Sequence, residues 1–151
     1  MLLLLGKSRS GKTQFGKSLF GDEHTLVLNC QGLGTAIPSL REVDRSQHKC
    51  VLFDEINEQQ VLHNKALFQA GFDKIQLGQS PCGGFRYEIW PYGLAFVLSS
   101  NKFAMSRAEG LADPSDEDGL RANVIVARRA DDDRWFMDPT RDASCMAHAG
   151  S

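Results

Sequence analysis

The chain has 151 residues, the length of one ordinary domain. Its apolar share of 42% and charged share of 24% sit near globular averages, which excludes a disordered chain and a membrane-embedded one. A net charge of −2 gives no general attraction to phosphate backbones, so any nucleic-acid contact has to come from a local basic patch.

Leu2 to Leu5 is a continuous apolar run that stops at Gly6, the pattern of a strand buried on both faces in a parallel sheet. A glycine-rich turn follows. From Lys12 to Phe20 the spacing of Phe15, Leu19 and Phe20 predicts a helix, and Gly21 stands where a C-terminal cap belongs. Thr25 to Cys30 reads as a second strand, and Thr35 to Val43 as a helix interrupted by Pro38. Cys50 to Phe53 is a third buried strand ending in Asp54 and Glu55, and Glu58 to Ala70 carries a helical pattern closed by Gly71.

Phe72 to Pro91 changes character, with Gly78, Pro81, Gly83, Gly84 and Pro91 punctuating short alternating stretches; this predicts a projecting β-hairpin. Leu94 to Leu98 is the fourth buried strand, ending in Ser99-Ser100-Asn101, and Ala122 to Ala127 is the fifth. Alternating strands and helices indicate an α/β layer fold. The acidic stretch Asp113 to Asp118 reads as solvated surface, and residues 139–151, small and polar, as a disordered tail behind a domain spanning 1–138.

The four cysteines, Cys30, Cys50, Cys82 and Cys145, form no CxxC pair, so zinc-ligand spacing is absent and reduced thiols are expected. That fits an intracellular, cytoplasmic or nuclear, location. No membrane partner is expected, because the apolar run at Met1 to Leu5 falls far short of the roughly 20 residues that a spanning helix needs.

Residues 6 to 13, Gly6-Lys7-Ser8-Arg9-Ser10-Gly11-Lys12-Thr13, match G-x-x-x-x-G-K-[ST] at every fixed position, the Walker A or P-loop pattern. A chance match in a chain of this length is on the order of one in a hundred, and the setting between a predicted strand and a predicted helix is the one the motif requires. Glycines let the backbone curl round phosphates with its N–H groups inward, and the following helix adds its positive end. Lys12 is placed to reach the β- and γ-phosphates of ATP, and Thr13 to offer its hydroxyl to Mg²⁺.

Val51-Leu52-Phe53-Asp54-Glu55 has the form of a Walker B strand, in which apolar residues deliver an aspartate to the C-terminal end of a sheet, where ligands bind. Asp54 is then the second holder of the magnesium shell. Glu55 is the candidate to orient or deprotonate the attacking water. Asn101, at the end of the fourth strand, is the candidate sensor of the γ-phosphate; the plainer reading of an asparagine there is a turn former.

A Walker A, a Walker B ending in Asp-Glu, a glycine-containing hairpin with Gly83-Gly84, and a strand ending in Ser100-Asn101 together resemble a superfamily 3 helicase. More narrowly, they resemble the helicase half of the replication-initiator (Rep) proteins of small circular single-stranded DNA viruses, over roughly residues 1 to 130. The resemblance implies an AAA+-like P-loop fold with a five-stranded parallel sheet of order 5-1-4-3-2, flanked by helices, with the hairpin inserted before the fourth strand. It implies Mg²⁺-dependent ATP hydrolysis in a homo-oligomeric ring, coupled to single-stranded or unwinding nucleic acid. By position, Gln76 to Trp90 is the nucleic-acid insertion, with Arg86 as its one basic residue and Tyr87 and Trp90 as bases' stacking partners. An arginine after the fourth strand, Arg107 or Arg121, is the implied contact to a neighbour's γ-phosphate. The family's upstream nicking domain, with its His-hydrophobe-His site, has no counterpart in this sequence, so a fragment, an excised domain or a cellular relic is expected.

Two other readings stay open. A P-loop kinase shares Walker A, which does not say whether water or another hydroxyl attacks; Arg128-Arg129 is its candidate lid. A relic that binds nucleotide without turnover shares it too. A GTPase is set aside, because Asn101-Lys102-Phe103-Ala104 lacks the aspartate of the base-recognition motif.

Overall fold

The structure, a computed structural model, describes residues 1–78, 86–101 and 125–128. In chain order its elements are β1 (Leu2–Leu5), α1 (Lys12–Ser18), a 3₁₀ turn (Asp22–His24), β2 (Thr25–Asn29), β3 (Cys50–Asp54), α2 (Glu58–His63), α3 (Lys65–Phe68), β4 (Ile75–Leu77), β5 (Tyr87–Ile89), β6 (Ala95–Ser100) and β7 (Ile125–Arg128). The expected fifth strand thus appears as β7, with residues 121–124 outside the described set. The calls on residues 79–85, on Asp113 to Asp118 and on the tail at 139–151 lie outside it as well.

The period of two in a strand sends Leu3 and Leu5 to one face of β1 and Leu2 and Leu4 to the other, and Val51 and Phe53 opposite Cys50 and Leu52 in β3. Both faces are covered, which is why these runs are apolar throughout. Five strands pair in the order β2-β3-β6-β1-β7, and every pairing is parallel. The chain is therefore a mixed α/β protein built on a five-stranded parallel sheet, as the alternation of elements predicted.

One face, with Leu3, Phe53, Phe96 and Leu98, receives Val61, Leu67 and Phe68 from the α2–α3 region. Phe53, Phe68 and Phe96 form an aromatic knot there, with ring centroids 5.3 to 6.1 Å apart and two of the three pairs edge-on. The other face, with Leu4, Cys50, Leu52 and Val97, is covered by α1 through Phe15 and Gly16. Cys30 and Cys50 are free and buried, and burial pushes both thiols up to about 12, so neither is a ready nucleophile.

The helix expected over Glu58 to Ala70 is broken at Asn64, which sits at φ −114°, ψ 30°. Its side-chain amide donates to Gln60 O at 2.8 Å and to Thr35 O at 3.3 Å, competing with the backbone for a helical carbonyl. The helix expected over Thr35 to Val43 does not form; the segment is irregular, with turns at Thr35 and at Arg41 and Glu42. The carbonyls at its start are instead taken by side chains in and beside α2. Gln60, fully buried, donates to Ala36 O at 2.7 Å and to Cys30 O at 3.0 Å, while Asn57 donates to Gly34 O at 3.1 Å. The same Gln60 closes a reciprocal capping box with Asn57 at the start of α2.

The predicted hairpin is present at its base: β4 and β5 pair antiparallel, with Ile75 opposite Ile89 and Leu77 opposite Tyr87. It does not stand free there, because these four side chains face the core while Gln76 and Glu88 face outward. No helix among the described residues is long and apolar enough to cross a membrane.

Gly16 is where α1 lies closest to the sheet. A Cβ there would meet Leu52 Cδ1 well inside contact distance and Val97 Cγ1 at 3.2 Å. Alanine gains about 1 kcal/mol of helix propensity over glycine, whereas overpacking a tight core costs about 1–3 kcal/mol. Leu52 is fully buried and has nowhere to retreat, so the second effect wins. Gly16→Ala is expected to lower the urea midpoint of unfolding; a raised midpoint would show that α1 is not held against β3 and β6 as described.

Candidate functional site

After β1 the Gly6 N–H donates to Ser100 O at 3.4 Å, and the chain then leaves the sheet. Two residues of the following turn take left-handed backbone angles, Arg9 at φ 60° and Gly11 at φ 86°. Glycine adopts that region without cost, which accounts for the fixed Gly11; Arg9 does not. Gly11 is the N-cap of α1 and provides no side-chain cap, so the first N–H groups of the helix lack one.

Lys12, only 4% exposed, turns back into this loop. Its ammonium donates to Lys7 O at 2.6 Å and Gly6 O at 2.9 Å, with Ser10 Oγ at 3.5 Å. Burial pushes the Lys12 ammonium below its ordinary value, and the negative charges of Glu55 and Asp54 pull it back up. A cation is thus held at the centre of a loop of backbone dipoles, next to two acids.

Asp54 ends β3 beside that loop. Thr13 Oγ donates to its Oδ1 at 2.9 Å and Ser99 Oγ donates to the same oxygen at 2.7 Å. Among the described residues no hydrogen bond ends on Oδ2. Glu55 follows at φ 56°, a left-handed angle that a glutamate rarely takes. The turn is pinned on its far side by Ile56 N–H donating to Ser99 O at 3.1 Å.

The loop from Ser8 to Gln14, together with Asp54, Glu55 and Ser99, lines a cavity of about 340 Å³. A cavity of about 670 Å³ lies elsewhere, between Thr35–Ile37, Asn64 and Tyr87. Size favours the latter, but the smaller one gathers a buried cation, two acids and four hydroxyls around a wall of loop backbone, and convergent chemistry outweighs volume.

The donor set decides which metal suits the smaller cavity. Among the described residues no three His, Cys, Asp or Glu side chains converge on a point, so no all-protein cage exists. One carboxylate and one hydroxyl, both hard oxygen donors, fit Mg²⁺, which takes few protein ligands and completes its shell with water and phosphate oxygens. Lys12, Thr13, Asp54 and Glu55 are brought together as the sequence pattern required.

Other site expectations fall differently. Asn101 is exposed beyond the end of β6 and does not line the cavity; the residue that β6 brings to Asp54 is Ser99. A strand-end serine reads in sequence as a turn former, and only the pairing of Phe53 with Leu98, one position earlier, places it beside Asp54. Arg107 and Arg121 lie outside the described residues, as does the side chain of Arg128. On the hairpin, Arg86 is exposed. Tyr87 is engaged on the protein: its hydroxyl accepts from Leu40 N–H at 2.8 Å and the Arg41 guanidinium lies 5.0 Å over its ring. Trp90, 53% exposed, donates from Nε1 to Phe72 O at 2.8 Å and stacks in a row with Tyr92 and Phe72.

No family model matches the chain, and no curated protein matches it. Among solved structures it is similar to one described as the A form apo structure of the NrS-1 C-terminal region, with 12% identity and a TM-score of 0.50. The match covers 94% of this chain and 32% of that one, so the chain spans about a third of its length. At that identity the likeness is one of fold.

The left-handed angle at Glu55 costs about 1–2 kcal/mol, and asparagine tolerates this region far better than glutamate. Glu55→Asn is therefore expected to raise the thermal midpoint by about 2–4 °C, as about 1 kcal/mol does for a domain of this size. An unchanged or lowered midpoint would show that the turn holds no strain.

Proposed function

We propose that the chain is a P-loop ATPase that hydrolyses ATP with magnesium, of the superfamily 3 helicase kind. The observation that carries the reading is the convergence of Lys12, the Thr13–Asp54 pair and Glu55 on one cavity walled by the Gly6–Thr13 loop. The order of the sheet from the β7 edge, β7-β1-β6-β3-β2, supports the AAA+-like form of the fold.

Each residue has a task that its contacts suit. Lys12 exchanges its bonds to Gly6 O and Lys7 O for oxygens of the β- and γ-phosphates, a charge-assisted pairing that replaces a neutral one. Because Thr13 already gives its proton to Asp54, the lone pairs of its oxygen remain for a cation. Mg²⁺ bound there supplies Lewis-acid neutralisation of the phosphate charge. Glu55 orients a water for in-line attack on the γ-phosphorus and takes its proton as the new P–O bond forms and the bond to the ADP oxygen breaks. The loop N–H groups hold the charge that develops on the phosphoryl oxygens.

The motion that hydrolysis drives is assigned to unwinding of, or translocation on, single-stranded nucleic acid by a homo-oligomeric ring. The order of the motifs and the exposed Arg86 and Trp90 at the hairpin support this part.

Phosphate release from Mg·ATP by the purified chain, with and without single-stranded DNA and with Lys12→Ala as the blank, tests the whole reading. Lys12-dependent release stimulated by DNA is expected. Release indifferent to DNA would remove the nucleic-acid role, and none above the blank would leave a kinase or a non-hydrolysing nucleotide binder. Separately, Glu55→Gln is expected to lower turnover about 10²–10⁴-fold, the usual range for a general base, while nucleotide binding persists. Turnover at the wild-type level in that variant would take the base role from Glu55.

A further inference from the structure

We propose that Ser99 is a positioning residue for magnesium binding: its hydroxyl fixes the carboxylate of Asp54 while Thr13 is recruited to the cation. The inference rests on the ATPase reading for its magnesium, and on geometry of its own for the contact.

Two hydroxyls share Asp54 Oδ1, and they are not equivalent. Thr13 sits on the first turn of α1, half-buried and facing the phosphate cavity, so it is the partner that a ligand rearranges. Ser99 lies inside the sheet on β6 at 1% exposure, and its bond of 2.7 Å is the shorter. A carboxylate is broad and roughly two-fold about its terminal torsion, so one fixed donor is what selects a single orientation.

Ser99 also supplies its carbonyl to Ile56 N–H at 3.1 Å. The same residue thereby brackets the turn, with its side chain on Asp54 and its backbone just past Glu55. Its neighbour Ser100 accepts from Gly6 N–H at the opening of the loop, so the end of β6 touches both halves of the site. The bland alternative, a buried serine that merely satisfies its own hydroxyl, predicts no effect on magnesium beyond a general loss of stability.

The test is a titration of a fluorescent ADP analogue against wild type, Ser99→Ala and Ser99→Thr, each in Mg²⁺ and in EDTA. Removing a partner that orients a metal-binding carboxylate typically costs about 10–100-fold in metal affinity or activity. Ser99→Ala is expected to lose about 10-fold or more of the affinity that Mg²⁺ adds, with affinity in EDTA unchanged, and Ser99→Thr to recover most of the loss by keeping the hydroxyl. A Ser99→Ala chain with the wild-type gain from Mg²⁺, or with equal losses in both conditions, overturns the inference.

If wild type itself gains nothing from Mg²⁺, the ATPase reading is what fails. A double-mutant cycle then decides the positioning contact without nucleotide, from urea unfolding of Ser99→Ala, Asp54→Ala and the pair. Non-additive losses support a carboxylate held by Ser99, and additive losses remove the contact and the inference with it.

Discussion

The Asp54 carboxylate is the constraint on which the rest of the site depends. A charge at the end of a strand that is otherwise wholly apolar has to be satisfied where it stands, and hydrogen bonds to a charged group contribute about 1.5–3 kcal/mol each. Here the two donors come from different elements, Thr13 from α1 and Ser99 from β6. One carboxylate oxygen therefore ties the helix after β1 to the adjacent strands β3 and β6. The Gly6–Thr13 loop is held at both of its ends, by β1 on one side and by this bond on the other.

That bond reaches only because α1 lies close against β3 and β6, and the approach depends on Gly16 having no side chain to meet Leu52. The structure thus sets a core glycine in the service of a polar contact one turn away. Strain is stored on the other side of the carboxylate, where Glu55 takes a left-handed angle between Asp54 and the pinned Ile56. A residue held in such a conformation by its neighbours loses stability in exchange for a fixed direction.

The sheet was legible in the sequence because strands buried on both faces leave a signal that little else imitates: short apolar runs, three of them ending at Gly6, Asp54 and Ser99. The loop was legible because its backbone chemistry restricts the residue types at fixed positions, Gly11, Lys12 and Thr13. Ser99 was not, since its part comes from register: Phe53 faces Leu98, and the next pair along brings a serine to an aspartate 45 positions away. The helix over Thr35 to Val43 failed for a related reason. Gln60, Asn57 and Asn64 take the carbonyls of residues 34 to 36, and no local propensity records a partner that lies more than 20 positions downstream.

Those same amides join the site to the hairpin. Cys30 N–H donates to Asp54 O at 2.9 Å, Gln60 donates to Cys30 O and Ala36 O, and Leu40 N–H donates to the Tyr87 hydroxyl on β5. The turns between β2 and β3 are therefore clamped from the site strand at one end and from the hairpin at the other. With Ile75, Leu77, Tyr87 and Ile89 committed to the core, the base of the hairpin has no freedom to swing alone. Any movement of the hairpin about its base must carry the 35–43 turns with it, and these hang on Gln60 and on the backbone of Asp54. The inner face of the hairpin is thus a structural bearing, while Arg86 and Trp90 are exposed.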